Sequence, residues 1–356
     1  MDFDLTDDHR MLRDSLTRYL AEQYPIEHRN RVAYDAPYHD PAKWADLAEL
    51  GVLYALVPED QGGFGGTGFD IALVFEALGT ALCPEPILPA LMAAQLLAAA
   101  GRDLEPLISG VTRYALAATE IEAPFDLGDS ATQAMRTGDT WQLSGRKSVV
   151  YGGGVADLLL VAAWAEDNIG LFEVSASEAR ITPYAMIDGG GAAEVFLDNT
   201  PAMLVLANAK SALEDALDAG RLALCAEAIG AMTWCNATLL DYLKTRTQFG
   251  RTIGSFQVLQ HRMVDLMIEL EQARSITILA ASRMGSSDQS RTLSMAKNLI
   301  GRTVKLVAEE TIQMHGGIAM TWEYPASHYA KRLTMIDHQL GDTDDHLARV
   351  AAGYTA

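Results

Sequence analysis

The chain has 356 residues, 49% hydrophobic and 21% charged, with a formal net charge of −20 at pH 7. That length is too great for one small core and predicts two or three packed globular units. The acidic balance disfavours DNA, RNA and anionic lipid as partners, so a polyanionic ligand must find a local basic island. Cys83, Cys225 and Cys235 are too few and too irregularly spaced for a disulfide framework or a zinc site. The N-terminus "MDFDLTDDHRML" is acidic where a secretory leader is basic, and no uninterrupted apolar run is long enough to span a bilayer. The expected location is the cytoplasm, where the sequon at Asn236 has no meaning.

The first hundred or so residues read as helices. In "LTDDHRMLRDSLTRYLAEQ" Thr6 is the expected N-cap, Asp7 and Asp8 fill the first turn, and Leu12, Leu16, Tyr19 and Leu20 share a face before Pro25. "PAKWADLAELG" places Pro41 at a helix start and Gly51 after its end. The glycine-rich "PEDQGGFGGTGF" (58–69) has no GK[ST] ending and no strand before it, so it reads as a turn and not a phosphate loop.

From 112 to 208 the texture changes. "RYALAAT", "WQLSGRKSVVYGG", "DLLLVAAW", "IGLFEV" and "AAEVFLD" are short β-rich runs without intervening long helices, which predicts a compact β domain and disfavours a Rossmann unit. After 209 the chain is helical again. Phe256, Leu259, Met263, Leu266 and Leu270 recur at three and four residues, a bundle-facing stripe, and "SALEDALDAGRLALCAEAIGAMTWCNATLLDYLKT" is apolar on nearly every side. A third helix is expected to start at a capping Asp288 and to stop at Gly316 and Gly317. The predicted fold is mainly α with a central β-barrel-like domain: an N-terminal helical domain (1–111), a middle β domain (112–208) and a C-terminal four-helix bundle (209–356).

"RTQFGRTIGSFQVLQH" (246–261) concentrates cations, aromatic rings and amides in an acidic chain, a mixture suited to a phosphate-bearing nucleotide. Taken singly, Arg246 reads as a helix-end residue, Gln257 as a surface amide, and Arg251 and His261 as structural or exposed. Joined to "QMHGGIAMTWEYP" (313–325), "LAELGVLYALVPEDQGGFGG" and "ALVFEALGTALCPEP", and in this domain order, the stretch resembles the acyl-CoA dehydrogenase family over nearly the whole chain. The resemblance implies FAD as cofactor, its ring on the β domain of one subunit and its ADP half on the helical bundle of a neighbour. Carried over, Arg246 meets the pyrophosphate, Phe249 and Gln257 line the nucleotide, and Gln313, Gly316 and Gly317 cradle the adenosine side.

The sequence departs from that family where chemistry is done. The base that removes the substrate's α proton is a Glu in the family; here one of its positions reads Leu340 and the other Gly220. Asp218, Asp337 and Asp342 are nearby carboxylates, with Asp337 and Asp342 the fallback bases. The ring-binding "TEP-x-AGSD" segment reads "TEIEAPFDLGDS" (119–130), keeping Thr119 and Glu120, and Val149 replaces the aromatic residue of the following strand. No metal site is expected.

This division resembles the β member of the family's heterotetrameric (α2β2) branch, which acts on CoA thioesters of steroid side chains. It implies a homologous catalytic α subunit that carries most of the acyl-CoA site, with electron-transferring flavoprotein as a possible acceptor. Two other readings stay open: a self-sufficient homotetrameric dehydrogenase with a non-standard carboxylate base, and a flavin-free scaffold or lyase on the same fold.

Overall fold

The computed structural model describes residues 7–138 and 140–355; the predicted cap Thr6 lies outside them. Eleven α-helices are found among these residues. They are α1 (Asp7–Gln23), α2 (Ile26–Tyr34), α3 (Pro41–Glu49), α4 (Gly68–Ala81), α5 (Ile87–Ala99), α6 (Glu105–Ile108), α7 (Lys210–Thr245), α8 (Gln257–Arg283), α9 (Gln289–His315), α10 (Ala326–His338) and α11 (Thr343–Thr355). Nine strands accompany them: β1 (Tyr114–Ala117), β2 (Gln133–Thr137), β3 (Thr140–Tyr151), β4 (Leu158–Ala165), β5 (Asn168–Ser175), β6 (Arg180–Ala185), β7 (Gly191–Leu206), β8 (Thr247–Gln248) and β9 (Arg251–Thr252). The chain folds into two compact units that do not follow chain order. One holds Glu27–Thr67 and Pro84–Gly220; the other holds the residues through Ile26, Gly68–Cys83 and those from Arg221 on.

In the first unit β1 to β7 form one seven-stranded sheet. The pairings β4–β2, β2–β3, β3–β7, β7–β5 and β5–β4 return to their start, so the sheet closes on itself; β1 runs parallel to β4, and β6 extends β7. Closure buries Leu143, Val150, Leu159, Val161, Phe172, Val174, Val195 and Leu197 on the inside, each contributing roughly 1.5–3 kcal/mol by transfer from water. Strands β2 and β6 carry no apolar run of their own and were not legible as strands. Only Ala134 of β2 is buried, and the strand exists because the β3 backbone offers it partners from Ser144 to Thr140.

The second unit is the bundle. α7 is buried on nearly every side, including Leu222, Leu224, Ile229, Met232, Cys235 and Leu239. It is the one described helix long and apolar enough to cross a membrane, and most of its apolar stretch is buried inside the protein. α8 turns Met263, Leu266 and Leu270 inward as its periodicity predicts. α9 packs against α8, α10 and α11, so a fifth helix joins the four expected.

α1 and α4 belong to this unit too. α4 can approach α7 because glycines face each other's backbone: a Cβ on Gly79 would lie 2.1 Å from the Glu227 carbonyl, and one on Gly230 would lie 2.0 Å from that of Glu76. Asp288 does occupy the cap position of α9, but its side chain makes no capping bond. Its φ of −92° and ψ of 1° depart from the extended backbone that capping geometry requires.

Candidate functional site

α7 ends where Arg246 donates its backbone N–H to Tyr242 O at 2.8 Å. The chain then makes a tight hairpin in which Thr247 pairs with Thr252 and Gln248 with Arg251. Its two-residue loop is Phe249–Gly250, with φ of 54° and 76°. Positive φ at both positions defines a type I′ turn, which favours Asn, Asp or Gly at the first position. A Phe there costs on the order of 1–3 kcal/mol, and the residue is 89% exposed. The return segment is tightly placed: a Cβ on Gly254 would lie 2.7 Å from Leu243 O, and the Arg251 guanidinium stacks 4.0 Å from the Phe256 ring centroid. α8 then begins at Gln257, with Phe256 in the cap position and no side chain capping it. The Leu259 N–H returns to Phe256 O at 3.0 Å, so the N–H groups of Gln257 and Val258 and the helix dipole are what α8 leaves to a ligand or solvent.

The end of α9 arrives at the same place. His315 is buried, donates Nδ1–H to Thr311 O at 2.8 Å, and packs its ring 4.7 Å from that of Tyr242 and 5.2 Å from that of Tyr324. Burial lowers its pKa, so the ring is neutral. Arg262 of α8 grips Glu310 of α9 through two 2.6 Å bonds. Five residues back from Arg262 and five on from Glu310, the antiparallel helices bring Gln257 level with His315. The structure therefore gathers Arg246, Phe249, Gln257, Gln313, Gly316 and Gly317 at one end of the bundle.

Arg246, Gln257 and Gln313 are exposed, and no carboxylate in the chain pairs with Arg246 among the described residues. Gly316 adopts φ 75°, which requires glycine, and nothing lies within 4 Å of where a Cβ would stand on either Gly316 or Gly317. A free guanidinium, an uncapped helix N-terminus, two amides and an open glycine turn form a donor set suited to a pyrophosphate with its adenosine. The Tyr242–His315–Tyr324 cluster and the Arg262–Glu310 pair, which hold this set in place, gave no sequence signal.

The loop between α10 and α11 contrasts with this. Leu340 sits at φ 56° and Gly341 at φ 104°. The Leu340 carbonyl accepts from Arg221 Nε at 3.0 Å and His346 Nε2 at 3.2 Å, while the buried Lys297 Nζ donates to Ile336 O at 2.7 Å. Asp337 Oδ1 accepts from the Thr343 N–H at 3.1 Å and its hydroxyl at 2.7 Å. Asp342 Oδ1 caps α11 through the N–H groups of Asp344 and Asp345. Burial first, then the charges of Arg221, Lys297 and Arg349, lower the His346 pKa to about 3. Burial brings Lys297 down to about 8. Glu227 and Arg332 make a buried bidentate pair at 2.6 Å, and Arg332 continues to Gln339 at 2.9 Å. Gly220 is buried in α7, beside Arg221.

In the β unit Glu120 is buried, and its carboxylate accepts from Lys147 Nζ at 2.7 Å, from the Ala131 and Thr132 N–H groups, and from the Ser130 and Thr132 hydroxyls. Burial alone would raise its pKa, but these bonds, led by that from Lys147, hold it at about 2. The segment 119–132 is thus closed around an internal ion pair. Val149 lies in a β-bulge at φ 52°, an outlier for a β-branched residue, and its side chain is partly exposed.

Comparison with known proteins places these features. The profile of the acyl-CoA dehydrogenase N-terminal domain matches residues 6–103, and that of the C-terminal domain matches 210–354. Acyl-CoA dehydrogenase IpdE2 of Mycolicibacterium smegmatis is 29% identical over 356 residues, covering 98% of this chain and 99% of its own. A chain of the Tcur3481-Tcur3483 steroid ACAD variant superposes with a TM-score of 0.89 at 28% identity, covering 98% of this chain and 99% of that one. A chain of the ChsE4-ChsE5 complex from Mycobacterium tuberculosis shares the fold, with a TM-score of 0.90 at 24% identity over 100% of this chain and 99% of that one. The protein belongs to the acyl-CoA dehydrogenase family, whose cofactor is FAD.

Proposed function

We propose that this chain is the non-catalytic subunit of a heteromeric FAD-dependent acyl-CoA dehydrogenase, binding the ADP half of a FAD whose ring rests on a homologous catalytic partner. The observation that carries this reading is the contrast within the bundle. The nucleotide end presents Arg246, Gln257, Gln313 and the Gly316–Gly317 turn exposed, whereas the family's base positions hold Leu340 and Gly220, and Asp337 and Asp342 are engaged in hydrogen bonds of their own. The closed Glu120–Lys147 segment and the absence of an aromatic residue at Val149 support a ring site on the partner.

When bound, FAD supplies the acceptor for the hydride leaving the substrate's β carbon. Arg246 neutralises the pyrophosphate, the α8 N-terminus adds oriented N–H donors, and Gly316–Gly317 let the backbone close on the adenosine. The α proton goes to a base on the partner, which also carries most of the acyl-CoA site. Likeness to a steroid ACAD supports a steroid side-chain thioester as substrate and an α2β2 assembly. The free thiols of the buried Cys225 and Cys235 are compatible with a cytoplasmic location.

The test is to purify the chain alone and co-expressed with flavin-bearing acyl-CoA dehydrogenase homologues from the same genome, and to measure FAD per protein mass. About one FAD per pair with none on the lone chain is the result expected from a shared site. A lone chain that is fully yellow and turns over acyl-CoA would refute it.

A further inference from the structure

Every group assigned to the ADP half belongs to this one chain, and the single chain already brings them together. Arg246 follows α7, with its backbone N–H on Tyr242 O at 2.8 Å. The Tyr242 ring packs 4.7 Å from that of His315, the last residue of α9, and Gly316 follows at φ 75°. Arg262 and Glu310 tie α8 to α9 near the same end. All of these residues lie in one compact unit, in its stretch from Arg221 on. A backbone frame that is set before a ligand arrives lowers the entropy lost on binding. Nothing stands within 4 Å of a Cβ on Gly316 or Gly317, so the turn is open. Lys244, Arg246 and Arg251 also give this end a run of cations in a chain of net charge −20, the condition under which a small polyanion settles here and not elsewhere.

The flavin half has no such provision. Val149 stands where the resemblance implies an aromatic residue, and the segment 119–132 is closed around Glu120 and Lys147. We infer that the chain without its partner binds free ADP at this end of the bundle, and that ADP therefore competes with FAD for loading of the pair. This rests on the shared-site reading above. ADP offers both features that the donors suit: a pyrophosphate for the Arg246 guanidinium and the N–H groups of Gln257 and Val258, and an adenosine for the Gly316–Gly317 turn. AMP has one phosphate less, and FMN has neither pyrophosphate nor adenosine. Selection follows the half of FAD that this chain recognises, so loading depends on ADP as well as on flavin.

The experiment titrates ADP, AMP and FMN into the lone full-length chain by calorimetry, and in parallel follows FAD uptake by the pair stripped of flavin. ADP should saturate a single site, AMP should bind at least about 10-fold more weakly, and FMN should give no saturable heat. Arg246→Ala should weaken ADP about 10- to 150-fold, the value of a charged hydrogen bond. The control is Arg180→Ala, which removes an exposed arginine stacked on Phe196 in the other unit and should leave ADP binding unchanged. In the pair, ADP should slow FAD uptake, excess FAD should restore it, and FMN should have no effect. ADP that binds the lone chain no better than FMN overturns the inference, as does FAD uptake that is indifferent to ADP. Equal weakening by Arg246→Ala and Arg180→Ala overturns it too. The FAD content of the pair separates the two levels: if Arg246→Ala empties it while ADP neither binds the lone chain nor slows uptake, the inference is wrong and the shared site stands. If Arg246→Ala retains full FAD, both fall.

Discussion

Two regions of the same bundle use polar groups in opposite ways. Around the loop after α10, Arg221, Lys297, Arg332 and His346 are buried and their bonds run inward, to Leu340 O, Ile336 O, Glu227 and Gln339. At the other region Arg246, Gln257 and Gln313 are exposed, at the end of the bundle where a buried histidine packs against two tyrosines. A polar group bonded inside the chain is part of the fold; a charged group that is positioned yet left unpaired is available to a ligand. On the proposed reading, the first pattern falls around Leu340, expected at the family's base position, and the second at the residues expected to meet the nucleotide.

Substitutions can break that comparison. The largest effect is expected at the inward region: Arg332→Met leaves Glu227 buried without its partner and should cost about 3–5 kcal/mol of stability, measured by urea denaturation. Arg246→Ala should do the reverse, leaving stability within about 0.5 kcal/mol. It should weaken FAD retention by the assembled complex about 10- to 150-fold, the value of a charged hydrogen bond. Equal stability losses in the two variants would erase the distinction.

Acid sharpens the contrast. The His346 pKa is about 3 in the fold against 6.5 ordinarily, so the unfolded chain takes up the proton first. Stability from the neutral ring is complete above 6.5 and falls as pH drops from 6.5 toward 3, by about 2 kcal/mol at pH 5. His346→Gln should flatten the difference between urea midpoints at pH 7 and pH 5. The smallest effect belongs to the hairpin: Phe249→Asn relieves the positive φ and should stabilise the lone chain by about 1 kcal/mol. The same change should weaken the FAD complex, read as a higher melting temperature of the lone chain beside lower flavin content in the pair.

Much of the fold was legible because its signals are local. The α8 stripe, the α7 run without a polar face, and the Pro41 and Gly51 boundaries are statements about neighbouring residues, and all stand in the structure. β2 and β6 were missed because their stability comes from the neighbouring strand's backbone and not from their own side chains. The capping bond expected of Asp288 failed for a related reason: residue type marks a cap, but backbone angles decide whether the side chain can reach it. Arg246, Gln257, Gln313 and Gly316 were joined as a set by the resemblance of their two segments to the family, since each taken singly has a structural reading.

The sequence by itself determined the family and the order of helical, β and helical segments, because each is carried by residue identity along the chain. Only the tertiary structure decided what the remaining charges do. His315 and Tyr242 are 73 residues apart by number, and nothing local says that their rings meet. Asp342 and Asp337 read alike as spare carboxylates until α11 supplies the N–H groups and hydroxyl that engage them. Whether a charge is a strut or a binding group depends on what lies across space from it, and that distance is set by packing.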